Sequence, residues 1–377
     1  MFTLGCLATY CCHQLLNAYM DVADGMAMSY AQVVYAVFWR CGGRVRGMAQ
    51  YAKNTINFFL VLTQLGNCCI YLIFVARMAK EVVDSTWPES SSMDLRSYAA
   101  IVFALLIPYC FITTLKVLSY FNIYGNLATL VTLIITLQYA LQNLQPIENV
   151  DLVAPNAATI PLFFGTAMFA FECIALILPI ENRMTNRRAF HGWDGLFTLS
   201  MTVVLVAYLF VGFYGYLAFG RESRMILSNL PSDDWLYKSV KILYGSAIFF
   251  SYNLQLYVPI SIVYPPLRFW VDKPWFDKYG EYLFRTALVI LTFSLSVTIP
   301  CLELMISLFG AMAGGSLSLI FPPIVQIITM NYPGAKFSYF TLVKCIIIAL
   351  FGFSGAVLGT VLTFQSIIKA LGSPNGC

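Results

Sequence analysis

Apolar positions along this chain neither alternate nor recur every three or four residues over most of its length; they run on. Nearly unbroken apolar stretches cover residues 1–18, 56–79, 98–115, 119–142, 161–180, 195–219, 236–263, 283–300, 302–329 and 338–368. A helix that crosses the hydrocarbon core needs ~20 mostly apolar residues, so the runs predict about ten transmembrane helices. The first run is the weakest, because it starts at Met1 and carries Cys-Cys-His-Gln, and the last is long and broken by glycine. The polar segments between runs are short. Residues 1–377 therefore read as a single transmembrane domain, an all-α polytopic membrane helix bundle.

Composition agrees with the pattern. The chain is 59% hydrophobic and only 11% charged, with a mean hydropathy of +0.75, whereas a soluble domain carries roughly a quarter charged residues. The net charge of +4 is small and dispersed, which excludes a nucleic-acid partner. The eleven cysteines sit mostly inside apolar runs, where they act as small hydrophobes. No CxxC or Cys/His spacing points to a metal, and His13 and His191 are far apart in sequence. Basic residues set the orientation. Segments 19–55, 181–194 and 264–282, with Arg40, Arg44 and Arg46, then Arg183, Arg187 and Arg188, then Arg268 and Lys273, fall on one side, assigned to the cytoplasm. The opposite segments carry Glu81, Asp84 and Glu89, then Glu148 and Asp151, then Asp233 and Asp234.

One run holds an anomaly. In FFGTAMFAFECIALILPIEN (163–182), Glu172 lies near the middle of an apolar stretch that Gly165 and Thr166 open and Pro179 closes. A charge at the bilayer centre costs about 2.5–3.5 kcal/mol on insertion scales, so such a carboxyl needs a partner, a wet cavity or a proton. A buried carboxyl that takes a proton on one side and releases it on the other could couple transport. The competing reading is a neutral, hydrogen-bonded acid at a helix contact. Weak helix formers around it suit a discontinuous helix, the device by which secondary transporters offer free backbone groups at the midplane. Two further runs carry polar stripes: Gln64, Asn67 and Tyr71 in 56–79, and Tyr252, Gln255 and Tyr257 in 236–263. A stripe of this kind faces a cavity or a neighbouring helix rather than lipid. Gly310 with Gly314, and Gly355 with Gly359, have the spacing that lets helices approach closely. The chain has no P-loop, no TVGYG-like filter and no Ser/His/Asp constellation, so an ATP-driven pump, a channel and an enzyme are each disfavoured.

These residues carry a resemblance. FFGTAMFAFECIALILPIENRM (163–184) is similar to the hallmark helix of the proton-coupled amino acid transporters, within the amino acid/auxin permease family. NFFLVLTQLGNCCIYLIFVA (57–76), GFYGYLAFG (212–220) with ILSNLP (226–231), WLYKSVKILYGSAIFFSYNLQLYVP (235–259) and SLFGAMAGGSLSLIFPPIVQ (307–326) resemble further family segments in order, so the likeness runs from about residue 10 to 368. It implies a LeuT-like fold of two inverted five-helix repeats plus one helix, and symport of small neutral amino acids with H⁺ rather than Na⁺ by alternating access, with no other cofactor. It places substrate at Gly165, Thr166, Phe169, Ala170 and Phe171, with Glu172 as the proton-coupling group. It adds Thr63, Gln64 and Tyr71 on one wall and Tyr252, Gln255 and Tyr257 on another. The implied location is the plasma membrane or a lysosomal or vacuolar membrane.

The chain departs from the family pattern in three ways. It starts at what resembles the second helix, so the family's glycine-broken first helix is expected to be missing. Cys173 follows Glu172 where relatives typically have glycine. Segments 80–97 and 220–238 hold no cysteine for the disulfide that many relatives form there. These departures keep a second expectation open: a non-transporting amino acid sensor or regulatory membrane protein with protein partners of its own, or an incomplete fragment of a transporter.

Overall fold

The computed structural model describes residues 1–23, 26–87, 93–146, 159–220, 225–231, 234–271, 273–299, 301–332 and 337–372, and among these no strand occurs. The acidic positions Glu89, Glu148, Asp151 and Asp233 lie outside the described residues. Eight of the ten apolar runs coincide with segments long and apolar enough to cross a membrane: Ala49–Thr86, Lys116–Gln142, Thr159–Glu181, Leu196–Phe219, Trp235–Val271, Pro274–Thr298, Leu302–Thr329 and Tyr339–Leu371. The other two are helical but fall short. Run 1–18 becomes α1 (Phe2–Val22), whose polar Cys-Cys-His-Gln stretch lowers its hydropathy, and run 98–115 becomes the 16-residue α5 (Leu95–Cys110).

The segments between runs are more helical than their polarity suggests. Within 19–55 lie α2 (Tyr30–Cys41) and the one-turn α3 (Gly43–Gly47). α2 starts with a capping box in which Ser29 accepts from the Gln32 backbone and Gln32 accepts from the Ser29 backbone, so two orphan donors are satisfied locally. α4 (Ala49–Thr86) overruns its apolar run at both ends and takes Glu81 and Asp84 into the helix. In 264–282, α10 (Trp235–Val271) nearly meets α11 (Pro274–Thr298). The apolar run marks the part of a helix that lipid or core can accept, while the helix itself continues until a cap or breaker stops it.

The chain divides into two compact units, each assembled from three stretches of sequence: Met1–Thr63, Asn156–Leu209 and Ile306–Gly372, and Gln64–Pro155, Phe210–Met305 and Ser373–Cys377.

In the first unit, small residues decide which backbones touch. Its elements include α7 (Thr159–Ala170), α8 (Ile174–Glu181), the start of α9 (Leu196–Phe219), the end of α12 (Leu302–Phe309), α13 (Phe321–Thr329) and α14 (Tyr339–Leu371). A Cβ added at Gly165 would overlap the backbone oxygen of Ser307, and one at Gly310 would overlap the backbone oxygen of Gly165. α7 and the segment after α12 therefore lie backbone against backbone, and Ser307 Oγ donates to the Leu162 carbonyl at 3.0 Å. Gly355 and Gly359 of α14 admit the Phe164 ring and Ala311 in the same way. Without a hydrophobic force between helices in lipid, such close contact is what drives their association.

In the second unit, polar side chains finish a helix end. The last carbonyls of α5 have no intrahelical partners, and α10 and α11 supply them. Asn253 Nδ2 donates to the carbonyls of Tyr109 at 3.2 Å and Ile112 at 3.0 Å. Arg285 donates to the Cys110 carbonyl at 3.2 Å and to Asn253 Oδ1 at 3.3 Å. Arg285 is 2% exposed, and its charge is balanced by Glu281 at 2.7 Å. Elsewhere in this unit Lys241 pairs with Glu81 at 3.2 Å, and Ser228 donates to Glu81 at 2.6 Å.

Two outcomes follow from this packing. Gly165→Ala should lower the thermal stability of the purified chain by about 1–3 kcal/mol through overpacking, whereas Gly212→Ala, with nothing within 4 Å of the added methyl, should leave it unchanged or raised. Asn253→Leu should cost about 1–3 kcal/mol, because the Ile112 carbonyl loses its donor while the Tyr109 carbonyl keeps the Ile112 amide. Fluorescence-detected gel filtration after a heating series reads both.

Candidate substrate-binding site

Run 161–180 is one apolar segment in sequence and two helices in space. α7 ends at Ala170, α8 begins at Ile174, and Phe171, Glu172 and Cys173 lie between them. The hydrogen-bond ladder shows how it breaks. Phe171 N still donates four residues back, to Ala167 O at 3.1 Å, but Glu172 N turns to Phe169 O at 3.3 Å and Cys173 N to Phe171 O at 3.0 Å. The Met168 carbonyl, which Glu172 would reach in a continuous helix, drops off the ladder. The α8 N-terminus has no side-chain cap, so its first amides and the positive end of the helix dipole are presented to whatever occupies the break.

Neighbouring elements hold this irregular backbone in place. Tyr208 of α9 donates its hydroxyl to the Ala170 carbonyl at 3.3 Å, and its ring meets Phe171 edge-on at 5.6 Å. After α12 come two π-helical stretches, Gly310–Gly314 and Ser316–Ile320, and the first of them passes along α7. A Cβ on Gly314 would lie 3.3 Å from the Met168 carbonyl oxygen and 3.8 Å from Glu172 Cγ. The freed carbonyl and the acid thus face a glycine on a widened helical turn, a feature frequent at functional sites. At the far end of α8, Glu181 is fully buried, 3.2 Å from His191 Nε2 and 3.8 Å from Arg187 Nε. The next residue, Asn182, accepts from Tyr19 at 2.8 Å and donates to the Met28 carbonyl at 3.0 Å. α8 is therefore anchored at one end and interrupted at the other.

The residues singled out from sequence separate into two groups. Gly165, Thr166, Phe169, Ala170, Phe171, Glu172 and Thr63 belong to the first unit. Phe171, Glu172 and Cys173 form the interruption itself, and Phe169 and Ala170 close α7. Gly165 is buried against Ser307, Thr166 is exposed and donates to the Leu162 carbonyl at 3.1 Å, and Thr63 is buried and donates to the Phe59 carbonyl at 2.9 Å. Pro179 sits within α8 rather than at its end.

Gln64, Tyr71, Tyr252, Gln255 and Tyr257 belong to the second unit. There Gln255 Nε2 donates to the Tyr71 hydroxyl at 3.1 Å, so the stripes on α4 and α10 meet. Tyr252 is buried, and its hydroxyl donates to Thr292 Oγ1 of α11 at 2.7 Å, since the Thr292 proton goes to the Val289 carbonyl. Gln64 is 2% exposed and its Oε1 has no hydrogen-bond partner among the described residues. Tyr257 is partly buried.

Sequence reasoning missed Tyr208, the π-helical segment and the Glu181 anchor. The run GAMAGGSLS (310–318) carried a signal in its density of small residues, read only as helix packing. Tyr208 is one tyrosine in a long apolar run, and nothing in its surroundings marks it.

Comparison with known proteins follows the same lines. The family model described as "Transmembrane amino acid transporter protein" matches residues 1–365. The chain is 31% identical over 344 residues to the Drosophila melanogaster protein named "Proton-coupled amino acid transporter-like protein pathetic", covering 91% of this chain and 72% of that one. It is 26% identical over 337 residues to the Caenorhabditis elegans "Probable amino acid transporter skat-1", covering 87% and 73%. An all-helical membrane chain whose central acidic run is an interrupted helix, matched almost throughout by one family, is a member of the transmembrane amino acid transporter family.

Proposed function

We propose that this chain moves small neutral amino acids of the glycine, alanine and proline class across its membrane together with H⁺, by alternating access. The observation that carries the reading is the interruption at Phe171–Cys173 with Glu172 inside it. The uncapped start of α8 suits a substrate carboxylate, because amides and dipole both favour negative charge there. The carbonyls closing α7 suit the ammonium group. Phe169, Phe171 and Cys173 crowd the break with apolar bulk, which favours a small uncharged side chain on the substrate.

Glu172 suits H⁺ as the coupling ion, since one carboxyl suffices to bind a proton, whereas Na⁺ needs several oxygens around it. The name of the fly relative, a proton-coupled amino acid transporter-like protein, supports the same assignment. The LeuT-like arrangement of inverted repeats is the framework for this reading. The polar pair Tyr71–Gln255 is a second candidate for substrate contact. A plasma membrane and a lysosomal or vacuolar membrane both suit the reading, since each offers an acidic or acidifiable far side.

Uptake of radiolabelled glycine, alanine and proline into proteoliposomes holding the purified chain tests it. Uptake of at least one should rise as the external side is acidified. Glu172→Gln should abolish that stimulation while substrate still protects the protein against heating, because the amide keeps the shape and cannot release a proton. No pH-dependent uptake of any of the three would overturn the reading. An unchanged pH response in the variant would remove Glu172 from the coupling step.

A further inference from the structure

A cavity of about 390 Å³ lies wholly within the first unit, away from the helix interruption. Its residues on α1 are Tyr10, His13, Gln14 and Asn17, spaced as one helical face. Opposite them stand Thr341 and Lys344 of α14, while Gln326 of α13 with Gly192 and Trp193 complete the lining. Gly192 and Trp193 place the cavity at the depth of the basic segment 181–194, which carries Arg183 and Arg187. That depth is marked by the exposed aromatics Phe337, Tyr339 and Phe340 at the start of α14, of the kind that sit at a membrane–water interface.

The lining has a definite chemistry. It holds one full positive charge, Lys344, and no carboxylate. Among the described residues Lys344 makes no ion pair; its ammonium instead rests 4.4 Å from the Tyr10 ring centre and 5.6 Å from that of Phe340. The other polar groups donate and accept. His13 Nε2 is 2.8 Å from Thr198 Oγ1, and that hydroxyl spends its one proton on the Gly192 carbonyl at 3.1 Å. The imidazole must therefore donate through Nε2, which leaves Nδ1 as an acceptor in the neutral ring. Trp193 packs on His13 with ring centres 4.5 Å apart and planes tilted by 37°.

Gln14 is 3% exposed; its Nε2 reaches only the weak acceptor Cys345 Sγ at 3.3 Å, and its Oε1 has no partner among the described residues. Buried amides are rarely left so poorly satisfied. A turn of its last torsion toward a ligand hydroxyl would gain a hydrogen bond without breaking a strong one.

We propose that this cavity holds the headgroup of an anionic phospholipid with one phosphodiester and a polyol. The phosphodiester meets Lys344 and the Thr341 hydroxyl, and the polyol hydroxyls meet His13 Nδ1 and the amides of Gln14, Asn17 and Gln326. A basic pocket between membrane helices at headgroup depth is a recurrent site for such lipids. Choline, ethanolamine and serine headgroups fit poorly, because each brings an ammonium beside Lys344, whose own ammonium already covers the Tyr10 ring, and the lining has no carboxylate to offset the two.

The full chain in nanodiscs of phosphatidylcholine, with about one-tenth phosphatidylinositol, phosphatidylglycerol or phosphatidylserine, tests the assignment by quantifying lipid retained through detergent washing. Phosphatidylinositol should be enriched over phosphatidylcholine on the unaltered chain. Lys344→Gln should reduce that enrichment about fivefold, the value of roughly 1 kcal/mol for one basic residue near the headgroups. Gln326→Leu should also reduce it and decides alone if Lys344→Gln does not insert. Equal enrichment in the unaltered chain and both variants overturns the site. Phosphatidylserine retained as well as phosphatidylinositol overturns the polyol recognition. Displacement by soluble glycerophosphoinositol at the lipid's own bulk concentration overturns the lipid as source and leaves a site for a soluble phosphodiester.

Discussion

Inside a bilayer no water stands ready to bond a peptide group left off the helical ladder, and each such group costs several kcal/mol. Where this chain interrupts a membrane helix, at Phe171–Cys173, that penalty has to be met by neighbours. Tyr208 takes the Ala170 carbonyl, and within the loop Glu172 N and Cys173 N find acceptors two or three residues back. Gly165 and Gly310 let the facing backbone come close enough to cover what remains. The π-helical turns after α12 belong to the same arrangement. They widen the segment that runs past the interruption and present Gly314, not a side chain, to Met168 and Glu172. An interrupted helix of this kind is thus held by glycines and one tyrosine placed around it.

The second unit meets the same constraint with charge. The end of α5 is an ordinary helix terminus whose carbonyls happen to lie among other helices, and Asn253 and Arg285 are placed to accept that load. Arg285 could not stay buried unless Glu281 balanced it; removing one partner of such a pair costs more than never having had it. The polar residues of these helices thus divide into those that complete a helix end, such as Asn253, and those that meet another polar stripe, such as Gln255 with Tyr71. Spacing along α10 does not separate the two kinds. Tyr252 and Gln255 share a face by sequence, yet one hydroxyl is committed to Thr292 and the other side chain to a neighbouring tyrosine.

The cavity formed by α1, α13 and α14 depends on a different balance. α1 is less hydrophobic than α14, on the other side of the cavity, because its Tyr10–Asn17 face is polar, and that polarity costs nothing only if the face meets something other than hydrocarbon. Lys344, at the second turn of α14, shows part of what that face meets: its ammonium lies against the rings of Tyr10 and Phe340.

Apolar run lengths alone placed eight membrane-crossing segments and made the chain all-α, since a run of twenty apolar residues has no other way to satisfy its backbone in lipid. The acid at Glu172 and the match of quoted segments were enough to indicate the family and the neighbourhood of an interruption. Tertiary structure decided the rest. The exact residues where α7 stops, the carbonyl freed at Met168, the role of Gly165 as a contact with Ser307, and the pairing of Tyr71 with Gln255 all depend on what lies across from each residue. Local composition reports whether a residue tolerates the membrane. It carries no record of the partner, often more than a hundred positions away, that lets a glycine, a tyrosine or a glutamine stand where it does.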